Sequence, residues 1–483
     1  MANVSLIYFD LHTGYYPSFN HGLAYILGTL KRDNHRASLI HLIDENDLDK
    51  AADALKKEKP DLIGLSFTTN QKKYVRLFLK SVEVSARLIV AGGVHCTLVK
   101  DKVFEEFSEL DGICIGEGEI SLRELCRRLA NSENYITTPN FYFKANGEII
   151  KNPISPLQEI DLIPFPDYSL FNYQTIIEDN SGCFPMMLSR GCPYSCHNCC
   201  NHVLRNIYPN KSKYVRFPTI RHSIQIIKNN LSLYPKTQKI IFADDTFTLN
   251  KKWLFEFCEA YKREVNLPFL CNARVENIDE EVLKHLKSAG CKSIDFGVET
   301  GNEWLRKNIL NRSHSNKKIK EAFSLTKKYG IKRFSFNIVG LPFETKKMAM
   351  ETVNLNLSLR PDFGKCFYFF PYPQTKLYRL CVNFGLLRGD IDRLSGYLEG
   401  PSLNEVYMTH KEIKYYFEIM QVFFAGRLIL SRMKMPFFIE RVFVEILFVL
   451  RKLIIIFISF RANNSIIINI RKILRKFALK YLR

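Results

Sequence analysis

The chain has 483 residues, too many for one ordinary hydrophobic core, so two or three domains are expected. Hydrophobic residues make up 46% and charged residues 24%, which argues against wholesale disorder. The formal charge of +20 is uneven, because residues 426–483 hold 13 Lys or Arg and only two acids. Since the charge belongs to one end of the chain, nucleic-acid binding is not expected.

The thirteen cysteines are scattered along the chain and do not form the dense pattern of a disulfide framework. The N-terminus, Met1-Ala2-Asn3-Val4-Ser5, has no basic segment followed by an apolar stretch, so no signal peptide is expected. We therefore expect a cytoplasmic chain whose reduced thiols serve metal binding.

Residues 1–131 alternate short apolar runs with helical patterns, which predicts a doubly wound, Rossmann-like α/β domain. The predicted strands cover residues 5–9, 37–42, 62–66, 88–91 and 112–115, and the first helix covers residues 23–31. Ligands of such sheets bind at the carboxyl ends of the strands. Two of these ends are rich in glycine: Gly92-Gly93-Val94-His95-Cys96-Thr97 and Gly116-Glu117-Gly118-Glu119.

Residues 132–182 are predicted to connect this domain to the next. The connector contains a Pro-rich stretch at residues 161–168 that cannot be the interior of a helix or strand. We expect it to lie across domain surfaces as an ordered link.

The βα alternation resumes over residues 183–385. Strands are predicted at residues 186–189, 239–243, 269–273, 293–298, 333–339 and 366–370, and helices at residues 280–289 and 316–329 among others. Six βα units predict a partial (β/α)6 barrel with its chemistry at the rim where the strands end.

Three cysteines, Cys192, Cys196 and Cys199, occupy the loop that follows the first of these strands. Three thiolates leave one iron of a [4Fe–4S] cluster without a protein ligand, and that iron can chelate the amino and carboxylate groups of S-adenosylmethionine (SAM). An electron from the cluster can then cleave SAM. The alternative is a structural zinc site completed by Cys200, His197 or His202, although zinc usually takes two separated ligand pairs.

The C-x-x-x-C-x-x-C spacing at the first strand of a six-unit barrel resembles the radical SAM superfamily. The first 131 residues resemble the subgroup that carries a cobalamin-binding domain ahead of the barrel, and the likeness covers about residues 4–378. The resemblance implies an N-terminal cobalamin-binding domain, a radical SAM barrel and three cofactors: a [4Fe–4S] cluster, SAM and cobalamin. Cys192, Cys196 and Cys199 are then the metal ligands.

The resemblance also assigns SAM contacts to the ends of the later barrel strands. Asp244 and Asp245, with Asp245 preferred, would meet the ammonium group of SAM, unless they cap the next helix. Glu299 would bind the ribose hydroxyls, unless it is a solvated loop residue. Gly340 lies in the stretch that would back the adenine.

Two positions in these barrel loops depart from the family pattern. Phe343 and Gln374 stand where many relatives have glycine, which leaves the shapes of these two loops open. Ordinary turn chemistry also explains the glycines and prolines of these loops.

In the first domain, the resemblance makes corrinoid contacts of Gly92, Gly93, His95, Thr97, Gly116 and Gly118. Taken alone, a Gly pair at a strand end is usually a turn. Asp10-Leu11-His12-Thr13-Gly14 is similar to the cobalt-ligating D-x-H-x-x-G motif with its glycine one position early, so a surface loop His is preferred to a cobalt ligand.

Residues 386–483 are predicted to form a helical, basic and apolar extension. The longest charge-free runs, residues 453–460 and 462–470, are far shorter than the ~20 residues of a membrane span, so no span is expected. For residues 411–435, a helix packed on the barrel and a helix in the membrane interface are equal alternatives. For residues 436–483, contact with the inner membrane surface is preferred.

The function expected from this organisation is methyl transfer to an unactivated carbon of a small-molecule or lipid-linked substrate, with electrons from a flavodoxin- or ferredoxin-type donor. A cobalamin-dependent rearrangement, cyclisation or oxidation is the first alternative. tRNA methylthiolation would need a second cluster on Cys96, Cys114 and Cys126. A corrinoid sensor without catalysis is the last alternative.

Overall fold

A computed structural model of the chain describes residues 1–11, 18–81, 86–179, 181–391, 394, 396–433 and 446. The described chain contains two sheets, one of seven strands and one of six. A cavity between them is lined from both sides. The expected order of a Rossmann-like domain followed by a partial barrel is confirmed, and one long helix, His410–Met433, follows the barrel.

The first sheet has the order β2-β1-β3-β4-β5-β6-β7. Its strands are β1 (Asn3–Phe9), β2 (Arg36–Leu42), β3 (Leu62–Ser66), β4 (Leu88–Gly92), β5 (Gly112–Cys114), β6 (Phe141–Ala145) and β7 (Glu148–Lys151). Strands β1 to β5 are parallel and match the predicted strands. Their carboxyl ends all open on one edge, as the doubly wound topology requires.

The antiparallel hairpin β6–β7 was not predicted, because it falls in the stretch interpreted as a connector. Asn146 and Gly147 form its turn with φ of 53° and 80°. Both angles are positive, as in the two-residue turns that match strand twist, and Asn-Gly is their preferred sequence. Asn146-Gly147 is therefore the sequence signal for this hairpin.

The second sheet runs in chain order from β8 to β13, and all its strands are parallel. Its strands are β8 (Cys183–Met186), β9 (Lys239–Phe242), β10 (Phe269–Ala273), β11 (Cys291–Glu299), β12 (Lys332–Val339) and β13 (Phe363–Tyr368). Strands β8 and β13 each begin three residues earlier than predicted. This sheet is the expected partial barrel, and its strand ends form the rim.

Helices cover both faces of the first sheet and the convex face of the second. They are α1 (His21–Arg32), α2 (Asp47–Glu58), α3 (Lys72–Ser81), α4 (Val94–Val99), α5 (Val103–Glu106), α6 (Glu119–Ala130), α7 (Tyr173–Asp179), α8 (Asn201–Ile207), α9 (Ile220–Leu233), α10 (Lys251–Glu264), α11 (Glu280–Ser288), α12 (Asn316–Lys328), α13 (Lys346–Leu359), α14 (Lys376–Asn383) and α15 (His410–Met433). Several begin at side chains that accept the free N–H groups of the first turn, as Asn20, Thr219 and Asp279 do. Asn250 caps α10, so neither Asp244 nor Asp245 has the alternative role of helix cap.

The Pro-rich stretch is an ordered link, as expected. The Asp167 backbone N–H donates to the Ala24 carbonyl at 2.8 Å, and the Asp167 carboxylate pairs with Lys31 at 2.8 Å. A side chain at Gly28 would collide with the Phe165 carbonyl, so glycine lets the link lie directly on α1.

Helix α15 packs on the barrel, which favours one of the two alternatives for residues 411–435. Ile413, Met420 and Phe423 are buried against Val339 and Tyr368. Of the membrane-contact segment at residues 436–483, only Ile446 lies within the described residues, so that prediction stays a prediction. In the part of the chain that the structure describes, no helix combines the length and apolarity of a membrane span.

Candidate functional site

A cavity with a volume of about 950 Å³ lies between the two sheets. One wall is made by the strand ends of the first sheet and includes Ser66, Gly92 and Gly116. The other wall belongs to the barrel and includes Cys199 and Arg312. Parallel sheets bind ligands at this edge, and here two such edges face each other across one space.

The loop that leaves β8 is fastened at several points. Gly191 has φ of 83°, and a Cβ there would collide with the Tyr214 carbonyl, so this position needs glycine. The His197 backbone N–H donates to the Leu310 carbonyl at 3.1 Å, and Leu377 N–H donates to the His197 carbonyl at 3.0 Å. These bonds join the loop to segments that are far away in sequence.

The three predicted metal ligands lie on this fastened loop. Cys196 is buried, whereas Cys192 and Cys199 are partly exposed. Burial raises the pKa of Cys192 to about 11, and the charges of Asp245, Cys199 and Cys196 contribute to the rise. The three thiols lie within eight consecutive residues of this loop, from Cys192 to Cys199.

Two side chains donate to the cysteine sulfurs. Arg274 Nη1 lies 3.2 Å from Cys196 Sγ, and Asn201 Nδ2 lies 3.7 Å from Cys199 Sγ. Arg274 also lies over the Tyr194 ring at 3.7 Å and pairs with Glu276 at 2.6 Å. Hydrogen bonds to ligating sulfurs tune the reduction potential of iron–sulfur clusters.

The alternative of a zinc site receives no support. Among the described residues, no three His, Cys, Asp or Glu side chains converge closely enough to hold a single metal ion. A single zinc binds each sulfur at about 2.3 Å, whereas a cluster distributes its thiolates over different irons and needs wider spacing. Nothing in the arrangement requires the compact geometry of zinc.

The paired carboxylates after β9 have different surroundings. Asp244 is fully buried and accepts from the Ser189 backbone N–H at 2.5 Å and the Leu188 N–H at 3.3 Å. Burial raises the pKa of Asp244 to about 6. Asp245 is exposed and accepts from Asn201 at 3.1 Å. The geometry thus favours Asp245 for ligand contact and gives Asp244 the role of holding the strand before the cysteine loop.

Glu299 lies at the end of β11 in the left-handed backbone region, with φ of 64°. Its side chain is buried and pairs with Arg312 at 2.8 Å, so it is not the solvated loop residue of the alternative interpretation. Arg312 also donates to the Gly297 carbonyl at 3.0 Å and lines the cavity. A strained, ion-paired carboxylate at a barrel rim is typical of a functional position.

The two barrel loops that lack the expected glycines keep a glycine-like backbone. Phe343 has φ of 66° and Gln374 has φ of 63°. Both are left-handed conformations that side chains with a Cβ rarely adopt. Both loops therefore keep the backbone shape that a glycine would give them, and the backbone is strained at Phe343 and Gln374.

Gly340 also has a positive φ, 81°. Its backbone N–H and that of Leu341 donate to Glu344 Oε2 at 2.6 and 3.1 Å. A Cβ at Gly340 would lie 3.1 Å from Ile413 of α15, so this predicted contact residue also gives room to the C-terminal helix. Gly301 lets the chain approach the Glu351 backbone of α13, with which a Cβ would collide.

The first-sheet wall carries glycines among larger side chains such as Tyr8, Phe19 and Tyr25. Gly92 and Gly93 line the cavity, and Gly93 has φ of 98° with the Phe67 carbonyl 2.6 Å from where a Cβ would be. His95 is fully buried, with Nδ1 3.1 Å from Thr69 Oγ1 and Nε2 3.3 Å from Glu106. His95 therefore acts as a core histidine and does not line this cavity.

Thr97 and the second glycine loop are joined to each other. Thr97 Oγ1 donates to the Gly93 carbonyl at 3.0 Å and accepts from the Gly116 N–H at 3.0 Å. Gly116 and Gly118 both line the cavity, whereas Thr97 does not. The predicted corrinoid contacts thus divide into glycines at the cavity surface and two polar side chains that support them.

The two domains are held together by charged residues at the cavity edge. Arg190, just before the cysteine loop, pairs with Glu119 at 2.6 Å and Glu117 at 3.0 Å. Arg216 also pairs with Glu117. The arginine side chains of these ion pairs are largely buried. The pairs orient the cysteine loop relative to the glycine loops.

Several polar atoms at the cavity wall have no partner within the described chain. They are the buried atoms Asn70 Oδ1, Asn198 Oδ1, Tyr25 Oη and Arg312 Nε, all on lining residues. Unsatisfied buried polar atoms are costly, so these atoms lower the stability of the wall.

Other residues of the site were not found by sequence reasoning. Arg312 and Asn201 carried no motif, and their roles follow from loops that meet only in the fold. His12 lies outside the described residues, so its expected role as a surface loop residue stays a prediction.

Two family models match the chain. Residues 186–355 match the Radical SAM superfamily, and residues 10–126 match the B12 binding domain. An uncharacterized methyltransferase of Pyrococcus horikoshii is 28% identical over 375 residues, which cover 76% of this chain and 79% of the relative. The anaerobic magnesium-protoporphyrin IX monomethyl ester cyclase of Cereibacter sphaeroides is 28% identical over 378 residues, covering 74% and 59%.

Solved structures share the fold. The cobalamin-dependent SAM radical enzyme OxsB has a TM-score of 0.67 at 17% identity, with 100% of this chain and 76% of the other covered. The radical SAM methyltransferase TsrM from Kitasatospora setae has a TM-score of 0.62 at 14% identity, with 78% and 77% covered.

Proposed function

We propose, from the premise that this chain belongs to the radical SAM superfamily and carries a B12-binding domain, that it transfers a methyl group to an unactivated carbon. Its cofactors are a [4Fe–4S] cluster, SAM and cobalamin. The proposed substrate is a small or lipid-linked molecule. Methyl transfer and the class of substrate are what we propose.

One observation carries the proposal: the cysteine loop and the glycine loops face the same cavity of about 950 Å³. A radical generated at the barrel rim and a methyl carrier held by the first sheet could then act on one bound molecule. Two cofactors that served separate reactions would not need a shared space. The methyltransferase names of relatives add support.

When bound, the cluster supplies the electron that cleaves SAM, and cobalamin supplies a methyl carrier. Cys192, Cys196 and Cys199 would hold the cluster, and Arg274 would donate to Cys196 Sγ. Three further side chains of the barrel rim would act in SAM binding. Asp245 and Glu299 would orient SAM, while Arg312 fixes the Glu299 carboxylate at 2.8 Å.

On the opposite wall, Gly92, Gly93, Gly116 and Gly118 would admit the corrinoid, and His95 and Thr97 would keep these loops in place. Tyr372 and Tyr397 line the same cavity and limit the entry of water.

The test uses holoenzyme purified anaerobically with cobalamin, a strong reductant and methyl-labelled SAM. We expect about four irons per chain. With small-molecule and lipid extracts from the organism that encodes the chain, label should appear in an organic product. A variant with Cys192, Cys196 and Cys199 all changed to Ala should give neither SAM cleavage nor labelled product. SAM cleavage with a new product that carries no label would contradict methyl transfer.

The second candidate function is a cobalamin-dependent cyclisation, rearrangement or oxidation. The similarity to anaerobic cyclases over 378 residues favours it. It uses the same cofactors, so the fate of the methyl label separates it from methyl transfer.

tRNA methylthiolation and a non-catalytic sensor receive no support. Cys96 packs in one core of the first domain, and Cys126 packs in the other. These cysteines therefore cannot share a second cluster with Cys114. A sensor would not need the complete set of cluster-loop and rim contacts described above.

A further inference from the structure

A second cavity, of about 420 Å³, lies at the outer end of the seam between the two domains. The first domain contributes the end of α4 and the following short helical turn, Lys100–Lys102. The barrel contributes α8 and the start of α14. This cavity shares no lining residue with the central cavity and has no role in the proposed methyl transfer.

The rim of this second cavity is strongly basic. Lys100, Lys102, Lys376 and Arg379 are all exposed. In the described part of the chain, none of these four forms an ion pair. Asp101 is the acidic residue among those lining the cavity, and it already pairs with Lys151 at 2.5 Å. Four uncompensated cations from both domains thus surround one concavity.

The floor of the cavity reaches the cysteine loop. His202 lines the cavity, is buried, and stands three positions after Cys199. At the start of α14, beside Lys376, the Leu377 N–H donates to the His197 carbonyl of the cysteine loop at 3.0 Å. The elements that carry the basic rim are therefore attached directly to the cysteine loop.

The proposed chemistry requires an electron at this loop. Each reductive cleavage of SAM takes one electron from the cluster, and the cluster must be recharged. The electron must come from another molecule that approaches the cysteine loop from outside, since the central cavity is taken by the cofactors and substrate.

We propose that this basic face, defined by Lys100, Lys102, Lys376, Arg379 and His202, is the docking surface for an acidic one-electron carrier protein. The inference rests on the proposed radical SAM function. In the step, the carrier loses one electron and the cluster gains one, with no transfer of atoms or protons. Electrostatic complementarity argues for this occupant, because charged faces of opposite sign raise association rates by about 10- to 1,000-fold.

The test compares two electron donors on the full-chain holoenzyme. Reduced flavodoxin is the acidic protein donor, and reduced methyl viologen is a small cationic donor that needs no docking surface. The variant Lys102→Glu/Lys376→Glu/Arg379→Glu reverses three rim charges. With flavodoxin at low salt, its SAM cleavage should fall at least about 10-fold and lose its dependence on ionic strength. With methyl viologen, cleavage should equal that of the unmodified enzyme.

The matched control is Lys317→Glu/Lys320→Glu/Lys327→Glu on α12, which reverses three exposed charges away from the cysteine loop. It should keep both activities.

Three outcomes would overturn the docking proposal. The first is unchanged cleavage with flavodoxin, and the second is an equal loss with both donors, which would mean that the rim serves the fold. The third is seen by calorimetry if inorganic phosphate binds to the unmodified enzyme but not to the charge-reversed variant. In this outcome, the rate of SAM cleavage with flavodoxin is the same in both proteins. If the unmodified holoenzyme cleaves SAM with neither donor, the proposed function fails, which is a separate result.

Discussion

The two walls of the central cavity differ in their glycines: among the residues that the structure describes, the first-sheet wall holds six, at positions 22, 64, 92, 93, 116 and 118, whereas none of the lining residues from the barrel is a glycine. On the barrel side, Cys199 is the proposed cluster ligand that lines the cavity, and Arg274 donates to the sulfur of another proposed ligand, Cys196. On the other side, His95 and Thr97 turn away from the cavity and leave glycines at its surface. A reactive cluster needs particular ligand atoms, whereas a large planar cofactor chiefly needs space and backbone groups.

The largest effect is expected at the cluster ligands. Changing Cys192, Cys196 or Cys199 singly to Ala removes one of three iron ligands, so bound iron and SAM cleavage should both be lost. Iron analysis and detection of 5′-deoxyadenosine measure this. Cys200→Ala is the matched control, because it changes a thiol of the same loop that is not a proposed ligand. Retention of a stable cluster in any of the three variants would contradict the assignment.

A pH profile tests how a buried carboxyl supports the barrel rim. Burial raises the pKa of Glu344 to about 7, from an ordinary value near 4.5. Between these values the folded chain keeps a proton that the unfolded chain has released, so stability should fall as pH rises from 4.5 to 7 and then level off. In Glu344→Gln, the decrease in unfolding free energy over this pH range should be smaller by up to about 3 kcal/mol.

Urea unfolding at pH 5 and pH 8 measures the Glu344 effect, and exposed Glu321→Gln is the control. If the unfolding free energy changes equally between pH 5 and pH 8 in the unmodified protein and in Glu344→Gln, the Glu344 carboxyl is not the source of the change.

Loss of the sulfur hydrogen bond should have a smaller effect than loss of a ligand. Arg274→Met removes the donor at 3.2 Å from Cys196 Sγ and keeps an apolar stem. SAM cleavage should fall about 10- to 100-fold while about four irons per chain remain. Exposed Arg221→Met should change neither quantity. A shift in the cluster reduction potential would distinguish tuning from simple misfolding.

The first-sheet wall is tested at Gly93. An alanine Cβ would lie 2.6 Å from the Phe67 carbonyl in a backbone conformation with φ of 98°, so the loop must move. We expect about 1–3 kcal/mol of destabilisation and weaker cobalamin binding in absorption titrations. Cluster content should be normal, which separates this wall from the barrel wall. Gly400→Ala, where a Cβ has open space, should bind cobalamin normally.

The smallest effect is expected at Gln374. Glycine would relieve the left-handed strain at φ of 63° but lose the hydrogen bond from Arg379 at 3.0 Å. Gln374→Gly should therefore stabilise the barrel by at most about 1 kcal/mol. Gln374→Ala keeps the Cβ strain and should give no gain in melting temperature. Equal stability of the two variants would mean that strain at this loop is negligible.

Much of the fold was predictable, because apolar runs separated by turn residues mark parallel strands. Ten of the eleven predicted strands overlap the observed ones by more than one residue; β8 overlaps its prediction only at Met186. Boundaries shifted at β8 and β13, since fully buried strands lack an alternating pattern that would locate their ends. The β6–β7 hairpin was missed although Asn146-Gly147 marks its turn.

The sequence alone determined the composition of the cysteine loop, since all three proposed ligands lie within eight consecutive residues. It could not determine that His95 points into a core, or that Glu299 pairs with Arg312 thirteen positions away. It also could not bring Lys102 and Lys376 to one cavity. Side-chain direction at a strand end, and contact between distant segments, depend on how the two sheets pack, which no local pattern encodes.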